Sequence, residues 1–106
     1  MMKFSYRIFR SGSAVMLAIA DSAIVGNKYS EGEIEIEVKR DFYSEKTCSD
    51  GKIAELVNGA TIINAVGKGI VSLLIKKKAV DKNNVLYIDG MPHAQMPRHI
   101  EDGQAR

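Results

Sequence analysis

The chain has no tryptophan, one cysteine, two prolines and two histidines among 106 residues. Each scarcity excludes something. A lone Cys48 forms no intramolecular disulfide, so the chain is not a disulfide scaffold. One cysteine and two histidines (His93, His99) make no structural zinc set, and no ligand spacing points to a metal or a cofactor. No apolar run reaches the ~18 residues needed to span a bilayer. Lys3, Arg7 and Arg10 before Ala14 to Ala20 mimic a short secretory signal. That stretch is at the lower length limit for one, and the residues around it alternate as strands do. Charge of one sign is also lacking. The net charge is +2, too small to imply a nucleic-acid partner from the total alone. These absences predict a cytoplasmic protein with no membrane contact.

What is present suits one folded domain. Hydrophobic residues make up 45% and charged residues 26%. A chain of this length buries about two-thirds of its unfolded surface without metal or disulfide support. Phe4, Tyr6 and Ile8 alternate with Ser5 and Arg7, predicting a strand over Lys3 to Arg10. Ser11-Gly12-Ser13 then turns the chain into a second strand, Ala14 to Ala20, with Val15, Leu17 and Ile19 on one face. Asp21 to Gly32 is expected to be a connection. Glu33 to Lys39 alternates without a break, predicting an antiparallel strand with Ile34, Ile36 and Val38 facing in. Arg40 to Ser49 is expected to be irregular, with Ser49 or Asp50 capping a helix that carries Ile53, Leu56, Val57 and Ala60.

Thr61 to Val66 is β-branched and predicts a buried strand. Ile70 to Ala79 predicts a second helix with Val71, Leu74 and Ile75 inward and Lys76, Lys77 and Lys78 in its last turn. Val85 to Ile88, the Asp89-Gly90 turn and Met91 to Met96 predict a closing hairpin. Pro92 and Pro97 assign its last strand to a sheet edge. The fold expected is α+β, a mainly antiparallel sheet with two helices in the order β-β-β-α-β-α-β-β. One domain spans residues 1–98, and residues 99–106 form a disordered tail.

Several stretches resemble landmarks of an archaeal family catalogued as domain of unknown function 424. They are Gly26 to Gly32 before the Glu/Ile strand, Asp41-Phe42-Tyr43 after it, Ala60 to Gly67, and Asn84 to Gln95. The most distinctive is Gly90-Met91-Pro92-His93-Ala94-Gln95. The resemblance runs from about Met2 to Arg98. It implies an archaeal cytoplasmic α+β protein loosely associated with translation, and it implies no activity. Cys48 is outside the pattern.

Three features are candidates for function. The Gly67-Lys68-Gly69 corner joins a strand to a helix, where free amides, close backbone approach and a lysine suit an anion. It is not a P-loop, because Ile62 and Gly69 stand where a glycine and a hydroxyl residue are required. A tight packing turn explains the same glycines. His93 and Gln95 share a strand face, where they can hydrogen-bond a base or phosphate or simply face solvent. Lys76, Lys77 and Lys78 with Lys82 form one basic cluster. Lys3, Arg7 and Arg10 with Tyr6 and Phe9 form another. A Cys48–His93 nucleophile pair has no supporting spacing. The expected function is a non-enzymatic binding module for RNA or a ribonucleoprotein. The alternatives are a small enzyme or nucleotide-binding protein using the Gly67 corner as a phosphate site, with a pocket joining Lys68 to His93, and a module pairing through an exposed strand edge.

Overall fold

The structure is a computed structural model and describes residues 3–98. The expected tail over 99–106 lies outside the described residues. The elements in chain order are β1 (Phe4–Ser11), β2 (Ala14–Asp21), β3 (Lys28–Glu31), β4 (Ile34–Glu37), α1 (Arg40–Tyr43), β5 (Lys46–Cys48), α2 (Ile53–Asn58), β6 (Ile62–Val66), α3 (Lys68–Lys76), β7 (Leu86–Ile88) and β8 (Met91–Pro97). Six strands form one sheet in the order β5-β1-β2-β6-β8-β7, while β3 and β4 form a separate ribbon. Among the described residues only the β2–β6 pair is parallel. The mixed α+β class and the mainly antiparallel sheet are as the sequence predicts.

The alternation along β1, β2 and β6 gives the sheet two faces. On one, Phe4, Tyr6, Leu17, Ile19, Ile63 and Ala65 pack beneath α2 and α3, which add Ile53, Leu56, Ile70 and Leu74. Burying each large aliphatic side chain in this layer contributes roughly 1.5–3 kcal/mol. On the other face the sheet presents small residues, Ala18 and Ala20, beside Val66. Their size lets Val38 and Tyr43 approach closely, with Phe9, Ile36 and Phe42 around them. The helices thus cover one face, and the ribbon with α1 covers the other.

Several boundaries differ from expectation. Ser11 pairs with Ala14, so Gly12-Ser13 is a two-residue turn, with Gly12 at φ +59°. The supposed connection contains β3, and the supposed irregular stretch contains α1 and β5. These elements are too short to carry a periodic signature. Ile34 to Glu37 forms a strand, but in the ribbon: Ile34 is 50% exposed and only Val38, just beyond it, is fully buried. Neither Ser49 nor Asp50 caps α2 with a side chain. A 3₁₀ turn over Asp50–Lys52 leads into it instead. Helix α3 begins at Lys68 and ends at Lys76, so Lys77 and Lys78 lie beyond its last turn, Lys78 at φ +62°.

The last strand is not the sheet edge. β8 pairs with β6 through His93 to Pro97 and with β7 through Met91 to His93, which leaves β7 outermost. Pro92 is tolerated there because its backbone faces past the end of β6. Its carbonyl accepts from the Gly67 amide (3.1 Å), and no ladder donor is required of its nitrogen. Asp89 and Gly90 both have positive φ (53° and 78°), the conformation of a two-residue I′ hairpin turn.

Candidate functional site

The two histidine- and glycine-based candidates fall on opposite faces of the sheet. Gly67 follows β6 at the carboxyl end of the parallel β2–β6 pair, the usual place for a ligand in sheets with parallel strands. Here the helix-opening amides are satisfied from within. Asp21, the last residue of β2, accepts from the Gly69 amide through Oδ2 and from the Ile70 amide through Oδ1, both at 2.8 Å. These are the second and third helical residues, the amides that an N-cap side chain normally satisfies. Gly67 stands at the N-cap with no side chain to offer, so a carboxylate 48 residues upstream of Gly69 does the capping. Its negative charge also suits the positive end of the helix.

The glycines are explained by the same contact. A Cβ on Gly67 would lie 2.5 Å from Asp21 Oδ2, and one on Gly69 would lie 2.9 Å from Asp21 Oδ1. Gly67 also has φ +125°, which side-chain-bearing residues rarely adopt. Close approach at this corner therefore serves an internal carboxylate. This corrects the expectation that the Gly69 and Ile70 amides are open to an external phosphate.

His93 faces the other way, under the ribbon. It lines a cavity of about 260 Å³ with Asn64 from β6 and Phe42 and Tyr43 from α1. Ile36 of β4 forms the ribbon side, and exposed Glu37 and Lys39 stand at the rim. Tyr43 donates its hydroxyl proton to Asn64 Oδ1 at 2.6 Å, and His93 Nε2 lies 3.2 Å from the same oxygen. An amide oxygen only accepts, so in this bond the His93 proton sits on Nε2 and Nδ1 of the neutral ring is an acceptor. Burial lowers the His93 pKa and keeps the imidazole neutral. Burial also raises the Tyr43 pKa, to about 12, so its hydroxyl remains a donor.

Local sequence builds this arrangement. Val38 anchors the end of the ribbon through paired bonds, its carbonyl accepting from Gly26 and its amide donating to Asn27. The Lys39 carbonyl then accepts from the Phe42 and Tyr43 amides, closing the single turn of α1. Arg7 ties that turn to β1 by donating to the Asp41 carbonyl at 2.7 Å. Phe42 is held by stacking on Phe9 (5.0 Å) and an edge contact with Tyr43 (4.9 Å). The ribbon's far end is tied to the last hairpin, where Glu31 accepts from the Asp89 amide at 2.7 Å.

The other candidates are placed as follows. Gln95 is exposed on the face of Asn64, its partner across the β6–β8 ladder. Lys68 lines a different cavity from His93, with Ser72, Tyr87 and Pro92 on the helix face. Lys76 borders a third, of about 500 Å³, beside Lys3, Asp21 and Ser72. In the first-strand cluster Tyr6 is buried, Phe9 is engaged by Phe42, and Arg7 lies 4.7 Å over the Phe9 ring. Cys48 is buried on the helix face, and burial raises its thiol pKa. It lies on β5, at the far side of the sheet from His93 on β8. A Cys48–His93 pair is thereby excluded. Among the described residues no three His, Cys, Asp or Glu side chains gather as a metal site. No helix among them is long and apolar enough to cross a membrane.

Asp21, Tyr43 and Asn64 had no part in the sequence-level site. Asp21 gave no local signal, since its partners are remote in sequence. Asn64 did give one: an amide inside the apolar run Ile62 to Val66 must find hydrogen-bond partners when buried.

Fold and geometry together define a small α+β domain, one face covered by helices, the other carrying a polar pocket under a two-stranded ribbon. The family model described as "Protein of unknown function (DUF424)" matches residues 9–98, and the chain belongs to that family. Its fold is similar to the crystal structure of an uncharacterized conserved protein from Methanopyrus kandleri. The two share 23% identity with a TM-score of 0.73, over 93% of this chain and 94% of the other. No curated protein matches the sequence.

Proposed function

We propose that this chain is a non-enzymatic, cytoplasmic archaeal binding module for RNA or a ribonucleoprotein, and that the phosphate backbone lies along the helix face. The observation that carries this reading is charge segregation. Residues 68–82 hold five lysines (Lys68, Lys76, Lys77, Lys78, Lys82) against one acid, Asp81. Asp81 is engaged in capping its own turn. This segment is therefore +4 in a chain of net charge +2. The ribbon is the reverse: residues 28–37 hold Lys28 against Glu31, Glu33, Glu35 and Glu37. A polyanion is drawn to the first surface and repelled by the second. The Gly67 corner enters this reading only through Lys68, not through its capped amides.

Fluorescence anisotropy with a labelled single-stranded RNA tests it. Binding should weaken with salt, with a log–log slope of about −0.7 for each phosphate contacted. The double variant Lys76→Glu/Lys77→Glu should lose at least about tenfold in affinity. Absence of binding at about 50 mM salt would remove the reading.

Strand β7 favours a second reading, pairing with another protein. It is the outermost strand of the sheet, and its Leu86 and Tyr87 are 48% and 57% exposed. Leu86→Lys should abolish any such association without affecting the RNA assay.

A further inference from the structure

We infer that the cavity under the ribbon is a binding site for one neutral, planar, hydrogen-bonding ring of nucleobase size. This goes beyond the backbone-binding reading and uses the opposite face of the sheet.

Three observations carry it. The first is unused hydrogen-bonding capacity. Asn64 is 93% buried yet borders the cavity, and both of its side-chain hydrogen bonds fall on Oδ1. Its amide NH₂ group is then left to face the cavity as a donor. His93, which lines the same cavity and donates through Nε2, keeps Nδ1 as an acceptor. A donor and an acceptor on the lining of one cavity suit a ligand that carries both functions, as an amide or a nucleobase does.

The second is electrical. No full charge lies on the cavity floor: Asn64 and Tyr43 are neutral, and burial favours the neutral imidazole. The charged residues at the cavity, Glu37 and Lys39, are exposed at its rim and of opposite sign. On the floor a phosphate or carboxylate would find no cation, and at the rim Lys39 is offset by Glu37, whereas a neutral ring keeps every contact.

The third is shape. About 260 Å³ is below the roughly 300–1,000 Å³ of pockets that hold drug-sized ligands, which suits one or two fused rings and leaves a sugar outside. Phe42 and Tyr43 line one side with aromatic carbon, and Ile36 faces them from the ribbon. The ring is supplied either by a free nucleoside or by an unpaired base of an RNA.

The test is an NMR titration of the full-length, isotope-labelled protein with adenosine, guanosine, cytidine and uridine in turn. Inorganic phosphate serves as the control for the anion reading. At least one nucleoside should shift the resonances of Phe42, Tyr43, Asn64 and His93, with an affinity on the order of 1 mM. Phosphate should leave them in place. His93→Ala should weaken the shift about tenfold or more. Ile36→Trp should abolish it by filling the cavity from the partly exposed ribbon side, and so tests the site without touching the buried network. A homopolymer of the preferred base that shifts the same residues at least about tenfold more tightly identifies RNA as the source, and equal or weaker binding identifies the free nucleoside. No shift with any nucleoside at about 10 mM, or shifts unchanged in Ile36→Trp, would overturn the proposal. Loss of RNA binding in the lysine variant with these shifts intact would confirm that the two faces act separately.

Discussion

Two polar clusters flank the sheet, and their hydrogen bonding separates them. At the start of α3, glycines, a helix N-terminus and a nearby lysine have the composition of an anion site. Both carboxylate oxygens of Asp21 are nevertheless bound to its amides. Under the ribbon, Tyr43, Asn64 and His93 have the composition of an ordinary buried network. Their bonds converge on a single oxygen and leave donor and acceptor positions at a cavity. Composition would assign the roles the other way round. What distinguishes a packing device from a binding site is whether the polar atoms have already found partners, and that is a property of tertiary structure.

The largest expected effect in breaking this comparison is at the closed corner. Gly67→Ala places a methyl group against Asp21 and forces a side chain into φ +125°. It should cost at least ~3 kcal/mol, combining backbone strain with a displaced carboxylate. Urea denaturation measures it. Asp21→Ala should cost about 2 kcal/mol, because two charge-assisted bonds and a favourable helix-end charge are lost together. That variant also sharpens the comparison: with the amides uncovered, phosphate should raise its melting temperature while leaving the wild type unchanged.

Effects at the open pocket should be smaller. Tyr43→Phe should cost about 1–1.5 kcal/mol, leaving Asn64 with one donor fewer. It should also remove a pH dependence. Burial penalises the phenolate, so with the folded-state Tyr43 pKa raised to about 12 from an unfolded value of 10.0 the wild type keeps its full stability below about pH 10. It loses about 2–3 kcal/mol as pH rises through 12. For His93 the sign is opposite. Its folded pKa lies below the unfolded value of 6.5, so the unfolded chain binds the proton more readily. Stability is complete above 6.5 and falls as pH drops through the depressed folded value. Comparing denaturation of the wild type and His93→Gln from neutral to mildly acidic pH should show this slope in the wild type alone.

The parts of the fold legible in the sequence are those whose signal is local. Phe4, Tyr6 and Ile8, followed by Val15, Leu17 and Ile19, mark the first hairpin, and Asp89-Gly90 marks the last. Ile62 to Val66 and the Val71–Leu74 spacing give the central strand and the helix packed on it. Elements whose stability comes from pairing left little trace: β3 is Lys-Tyr-Ser-Glu, and α1 is a single turn fixed by Arg7 and Tyr43. The Glu/Ile alternation of β4 shows that one face is sheltered but not what shelters it, which is why a ribbon strand resembles a sheet strand. At the site, His93 was visible through its neighbours Pro92, Ala94 and Gln95. Its working partners come from α1 and β6, joined to it only by the fold. The capping of α3 was hidden for the same reason, since Asp21 is 48 residues from Gly69.

The most direct measurement is a side-by-side titration of the wild-type protein with phosphate and with nucleosides, following the amide resonances of Gly69 and Ile70 against those of Tyr43 and Asn64. The account predicts that Gly69 and Ile70 stay fixed under phosphate and that Tyr43 and Asn64 move with a nucleoside. Movement of Gly69 and Ile70 with phosphate, together with a silent Tyr43 and Asn64, would contradict it.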